Sequence, residues 1–354
     1  MFLKKIHILR AYIIIMLLLF INISYLNAQD NNSQEIIILI DMSRREELRG
    51  NYTDALRYVN MAFELGIEDI EQKVYAFVTR AVIYIRTGLL QDALNDINAG
   101  IEITPNFATL YELRAIVYGL QGHNSDGLRE INNAIRLDSG PLRFYENRAS
   151  FYTRLNENQK AIDDCEYILN INPEYLNAYT LKAIALTNMN NNQEAIMTIN
   201  HALNIEPLNG ENYYTRGVIY YNMGNLNNSL NDLNRAIELD PSDSKYFKTR
   251  AKLYRRIGNY LEAINDYTQA IQLNPTDYEL YEDRGGCYVM LENYNAALLD
   301  FNIYLNNVEN RIIYLIRSQV YEELAKQAEN TAQKEEYLEL SRRDVETHRR
   351  LSGL

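Results

Sequence analysis

From Asn259 to Pro275 the chain reads NYLEAINDYTQAIQLNP, and thirty-four residues earlier, from Asn225 to Pro241, it reads NLNNSLNDLNRAIELDP. Two segments this alike, with their prolines in register, mark an internal repeat, and that period points to a stack of supersecondary units. A small residue in the second half of each unit carries the register outward: Ala55, Ala93, Gly127, Ala161, Ala195, Ser229, Ala263 and Ala297, with a first interval of 38 residues and steps of 34 thereafter. Pro105, Pro173, Pro207, Pro241 and Pro275 close five units at the same place.

Each unit divides into two segments. The first carries aromatic, small and aromatic residues at i, i+4 and i+7: Phe77, Ala81 and Tyr84; Tyr111, Ala115 and Tyr118; Tyr145, Ala149 and Tyr152; Tyr213, Gly217 and Tyr220; Phe247, Ala251 and Tyr254; Tyr281, Gly285 and Tyr288. That spacing puts all three on one face of a helix. The second segment repeats the device, as in Ala263, Tyr267, Ala270 and Leu273, and Gly88, Gly224 and Gly258 fall between the two, where a helix ends and turns. Each unit is therefore expected to be an antiparallel helix pair. Large and small faces interlock, and a pair gains the contacts it lacks by stacking on its neighbours.

The pattern Phe247, Ala251, Tyr254, Gly258, Tyr260, Ala263, Tyr267, Ala270 and Pro275 resembles the tetratricopeptide repeat. The resemblance runs over roughly residues 33 to 351, and it implies an all-α, right-handed superhelical solenoid of about eight to nine repeats. Residues 29–354 are expected to form that single solenoid. Its first unit, about 33–65, is atypical, with IIILI in place of the aromatic pattern; a strand at Ile36–Ile40 is the weaker reading, because Tyr52, Ala55, Val59 and Ala62 continue in helical register. A long charged segment at about 333–351 is expected to cap the other end.

A further regularity emerges when units are compared. Arg80, Arg114, Arg148, Arg216, Arg250 and Arg284 recur in the first segment, and Asp96, Glu130, Asp164, Asp232, Asp266 and Asp300 recur sixteen positions later in the second. In the fifth unit both change together, to Lys182 and Thr198, and in the first to Met42 and Tyr58. Such paired change is what a structural ion pair inside each hairpin predicts. A binding ladder of arginines is the competing reading, which the acids would already neutralise.

The N-terminus has the layout of a secretory signal. Lys4, Lys5 and Arg10 form a positive region, Ala11–Ile21 is an apolar run, and Leu26-Asn27-Ala28 offers a small residue at the cut. Eleven residues rise about 16 Å as a helix, while a bilayer core needs roughly 20 residues. A cleaved segment 1–28 and an exported protein, either of the periplasm or cell envelope or secreted, are therefore expected, with no integral membrane span after cleavage. Losing Lys4, Lys5 and Arg10 takes the net charge from -12 to -15. A chain so acidic repels nucleic acid outside a local basic patch.

Catalytic constellations are hard to find. Beyond the signal only His123, His201 and His348 remain, far apart, and Cys165 and Cys287 have no metal-ligand spacing. No phosphate loop of the GxxxxGK[ST] type occurs. The cysteines read as small core hydrophobes, and no enzyme activity, metal or cofactor is expected.

The resemblance implies that first helices line a concave groove, with the residues between packing positions pointing into it. These include Val78 and Val82 from the second unit, Ile116 from the third, and Tyr214, Val218 and Tyr221 from the sixth. In the seventh unit Lys245, Lys248, Lys252 and Arg255 form a basic stripe. Glu211 and Glu279 stand opposite Lys245 and Glu282 opposite Lys248, whereas Lys252 and Arg255 have no acidic counterpart and are expected to be unpaired, beside Tyr214, Val218 and Tyr221, as a pocket for an acidic group on a peptide. Relatives that clamp a terminal carboxylate use lysines and asparagines in three successive units. Lys248 and Lys252 suit the last of these, but Thr180 and Ile184 stand where the first should be, and that activity is not assigned. The expected function is a non-enzymatic adaptor or assembly factor of the envelope that binds a protein or peptide segment. A sensor ectodomain is the alternative among binding proteins, and an enzyme with a groove-located site the alternative from another class.

Overall fold

The computed structural model describes residues 31–353. The expected signal at 1–28 lies outside them. The described residues hold eighteen helices and no strands. They alternate as first and second helices of nine hairpins: Asn31–Leu48 with Tyr52–Glu64, Ile70–Thr87 with Leu90–Ile103, Ala108–Gln121 with Asn124–Leu137, Leu142–Arg154 with Asn158–Ile171, Leu176–Asn188 with Asn192–Ile205, Gly210–Asn222 with Leu226–Leu239, Ser244–Arg256 with Tyr260–Leu273, Glu279–Met290 with Tyr294–Leu305, and Arg311–Gln327 with Thr331–Ser352. The chain divides into two compact units between Thr198 and Ile199. The first four hairpins lie in one unit and the last four in the other.

The hairpins form because each turn has a fixed backbone recipe. The station after the first helix is left-handed in every hairpin from the second to the eighth: Gly88, Gly122, Asn156, Asn190, Gly224, Gly258 and Glu292 all have φ between 58° and 85°. Glycine occupies that region without strain and asparagine tolerates it, so the first six are ordinary. Glu292, at φ 58°, is not. Several helices then start on a side-chain cap, with Asn225, Asn293 and Asn330 accepting from the backbone N–H three residues on, at 3.4, 3.3 and 2.8 Å.

The cores sit between the two helix layers of each hairpin and its neighbours. In the unit before Thr198, Ile36, Leu39 and Ile40 pack with Ala55, Val59 and Ala62, so the IIILI run is helical and buries those three side chains while Ile38 stays exposed. In the unit after Ile199, Phe247, Ala251, Ala263, Tyr267 and Ala270 form one core and Ala297, Phe301, Tyr304 and Ile313 another. The small positions are small because rings lie against them. A Cβ at Gly127 would come within 2.3 Å of the Phe151 ring, and one at Gly285 within 2.7 Å of Phe301.

Candidate binding surface on the first helices

The recurring arginines and acids meet inside their hairpins. Arg80 holds Asp96 through Nε and Nη2 at 2.7 and 2.8 Å, and Arg148, Arg216, Arg250 and Arg284 grip Asp164, Asp232, Asp266 and Asp300 in the same two-pronged way. Arg114 places both nitrogens on one oxygen of Glu130, at 3.1 and 2.6 Å. The acids are buried and the guanidinium groups mostly so. With their donors spent, the arginines have little left for a ligand.

The sequence reading missed the third partner of each arginine. Nη1 reaches back to the second helix of the preceding repeat, twenty residues from Arg80 to Asn60 and sixteen from Arg114 to Asn98, Arg148 to Asn132, Arg216 to Asn200, Arg250 to Asn234, and Arg284 to Thr268. The arginine therefore ties both its own hairpin and its neighbour. The signal was present, since those amides recur at the same period, but they lie among many asparagines. A seventh grip, Arg317 on Asp344 at 2.8 and 2.7 Å, spans 27 residues because the terminal helices are longer, so the sixteen-residue rule passed over it. Lys182 of the fifth hairpin instead reaches back to Glu166 in the fourth, at 2.7 Å.

The expected groove residues fare unequally. Val78 and Val82 are buried in one core with Leu113 and Val117, which corrects their placement on an open surface. The first helices of the second and third hairpins pack directly on each other there, so an inner position becomes an interior one. Ile116 is half-buried, as are Tyr214, Val218 and Tyr221. Tyr214 stacks near Tyr246, with ring centroids 5.1 Å apart, and its hydroxyl meets that of Thr249 at 3.4 Å.

The basic stripe is more paired than its spacing predicts. Lys248 donates to Asp277 and Glu279, at 2.8 and 2.9 Å, rather than to Glu282. Lys252 and Arg255 are not unpaired: both face Asp283, at 3.9 and 2.5 Å. Comparison of equivalent positions missed it because Asp283 sits beside the helical station of Glu282, not on it. Two half-exposed cations nevertheless share one carboxylate. Arg256 lies over the Tyr221 ring at 4.9 Å and donates to the Tyr221 carbonyl at 3.1 Å, with no carboxylate in ion-pair range among the described residues.

Lys245 lies between two acids, with Glu211 at 2.5 Å and Asp243 at 3.1 Å. Glu211 Oε2 also accepts from the Tyr246 hydroxyl at 3.3 Å, while Oε1 is buried without a hydrogen-bond partner among the described residues. Burial raises the Glu211 carboxyl from 4.5 to about 7, against the opposing pull of Lys245. In the other unit, burial likewise raises Glu112 although Arg143 holds it at 3.0 Å. Cys165 and Cys287 are buried free thiols, and burial raises both, Cys287 to about 11. Such thiols are poor nucleophiles at neutral pH. The described residues hold no cluster able to bind a metal and no helix long and apolar enough to cross a membrane.

Three consecutive segments, residues 176–207, 211–243 and 244–277, match the tetratricopeptide repeat family. The fold resembles that of a tetratricopeptide repeat protein from Parabacteroides merdae, with TM-score 0.53 and 21% identity over 76% of this chain and 99% of that one. It also resembles a chain of the APC/C hetero-tetramer Cut9–Hcn1, with TM-score 0.58 and 14% identity over 84% of this chain and 58% of that one. No curated protein matches the sequence significantly. At these identities the likeness carries the fold: helix pairs stacked as in a repeat solenoid. The family match thus identifies residues 176–207 and 211–277 as tetratricopeptide repeats.

Proposed function

We propose that the chain is a non-enzymatic scaffold of the cell envelope, an adaptor or assembly factor that holds a protein or peptide segment against the first helices of its repeats. The observation that carries this reading is the face formed by Tyr214, Val218 and Tyr221 together with Lys252, Arg255 and Arg256. The arginine grips use another face of these helices, and although Tyr214 lies against Tyr246 and Tyr221 under Arg256, these side chains remain half-buried or exposed. A surface that mixes apolar and charged groups suits a polypeptide, whose side chains and backbone need both. The signal-like layout of Met1–Ala28 supports the envelope setting, and the tetratricopeptide repeat, a protein-interaction module, supports the scaffold role.

The test is crosslinking in intact cells from a photoreactive residue at Val218, followed by identification of the attached chain. A single dominant protein partner is expected. Crosslinks only to bulk protein, equal to those from a control site at Glu262 on a second helix, would overturn the reading.

A further inference from the structure

The second hairpin leans on the first through one face of its first helix, Ile70–Thr87. Gln72 donates to Ser33 at 2.7 Å, Ala76 and Ile83 share the core of Ile36, Ile40 and Val59, and Arg86 donates to Glu47 at 3.2 Å. The two first helices end alike, at Gly50 and Gly88, so counting back 38 residues finds the same face on the first hairpin: Gln34, Ile38, Arg45 and Leu48, with Asp41 between them. No hairpin stacks on that face among the described residues, and Ile38 and Leu48 are 57% and 49% exposed. The end of a repeat stack ordinarily shows a polar face. This end has also lost its arginine: where Arg80 reaches back to Asn60 of the preceding repeat, the first hairpin carries Met42.

We propose that this face pairs with the same face of a second copy of the chain, the two Asn31–Leu48 helices running antiparallel about a twofold axis. Gln34, Ile38, Asp41, Arg45 and Leu48 follow one another by four, three, four and three residues, the spacing of a seam along which two helices mesh. Antiparallel pairing centred on position 43 sets Ile38 opposite Leu48 of the other copy and Asp41 opposite its Arg45, and the twofold axis makes each contact twice. Parallel pairing would set Asp41 on Asp41 and Arg45 on Arg45, where like charges repel. Arg45 already holds Asp41 of its own helix at 2.7 Å and is 68% exposed, so its remaining donors are free to reach a second carboxylate. Arg44 lies 3.7 Å from Asp41 and over the Tyr75 ring of the second hairpin, and Arg49 is held by Glu46 at 2.6 Å. On and beside the seam Glu35, Asp41 and Glu46 thus balance Arg44, Arg45 and Arg49. That balance favours neither an acidic nor a basic partner, whereas a second copy matches the order of charges by symmetry. The proposal stands apart from the scaffold reading and uses a different surface.

The experiment measures the mass of the chain as isolated from its cells, with its N-terminus read by sequencing, over a concentration series by sedimentation equilibrium. A monomer–dimer equilibrium is expected. Asp41→Arg and Arg45→Asp, each alone, put like charges across the seam and should weaken the dimer at least about tenfold. Mixed in equal amounts, the two variants should pair again as hetero-dimers, because one copy then offers two cations and the other two carboxylates. Mixing leaves the fold of each chain as it was, so recovery reads the contact between copies and nothing else. Ile38→Gln should weaken the dimer while leaving the melting temperature unchanged. The proposal is overturned by a monomer at every concentration, whether residues 1–28 are retained over the face or a foreign chain takes it. It is equally overturned by a dimer that Ile38→Gln and both charge variants leave intact, or by variants that stay monomeric when mixed.

Discussion

Glu211 has its carboxylate beside Lys245, Asp243 and the Tyr246 hydroxyl, one cation between two acids. Its carboxyl is raised from 4.5 to about 7, so the folded state holds the proton more strongly than the unfolded chain does. The stability Glu211 contributes is therefore complete below pH 4.5 and is lost as the pH climbs through about 7. Glu211→Gln should accordingly be near neutral at pH 5 and stabilising at pH 8, by up to about 3 kcal/mol, read as the difference between the melting curves of variant and parent at the two values. A gap that does not change with pH would show that Glu211 titrates normally. Glu292 offers a second residue-scale test. It takes the left-handed station that glycine fills in four sister hairpins, where a Cβ meets nothing within 4 Å, so the cost is that of the backbone alone. Glu292→Gly should raise stability by about 1 kcal/mol in urea unfolding; a loss of stability would mean that the Glu292 side chain makes up the strain.

At the scale of the helix pair, the small residues set how closely second helices approach their neighbours. Ala263 is fully buried in the core of Phe247, Ala251, Tyr267 and Ala270. Ala263→Leu should overpack that core and cost about 1–3 kcal/mol. An unchanged melting temperature would show that the core has slack there. The helix pairs, their turns and the grip of Arg250 on Asp266 were legible beforehand, because each depends on residues within one 34-residue period. Asp283 was not. It belongs to the repeat after Lys252, and its reach depends on the angle between two first helices, which no spacing in one chain encodes.

For the whole molecule, the envelope setting of the proposal depends on removal of the N-terminal segment. The mature chain should begin near Gln29, and N-terminal sequencing together with cell fractionation checks it; an intact Met1 on protein in the cytoplasm would remove the envelope from the proposal. By itself the sequence determined the helix pairs, their register and the hairpin ion pairs, since a repeated motif states each local rule several times. It also carried the match of residues 176–277 to the tetratricopeptide repeat. Only the tertiary structure decided which inner-face residues remain open. Val78 and Val82 share the spacing of Tyr214 and Val218, yet they are buried because the neighbouring first helix closes over them. Lys252 and Arg255 looked unpaired until Asp283 was found between them. Periodicity fixes the direction of a side chain on its own helix, whereas burial and charge pairing depend on how near the next helix comes, and that distance is set by packing across repeats.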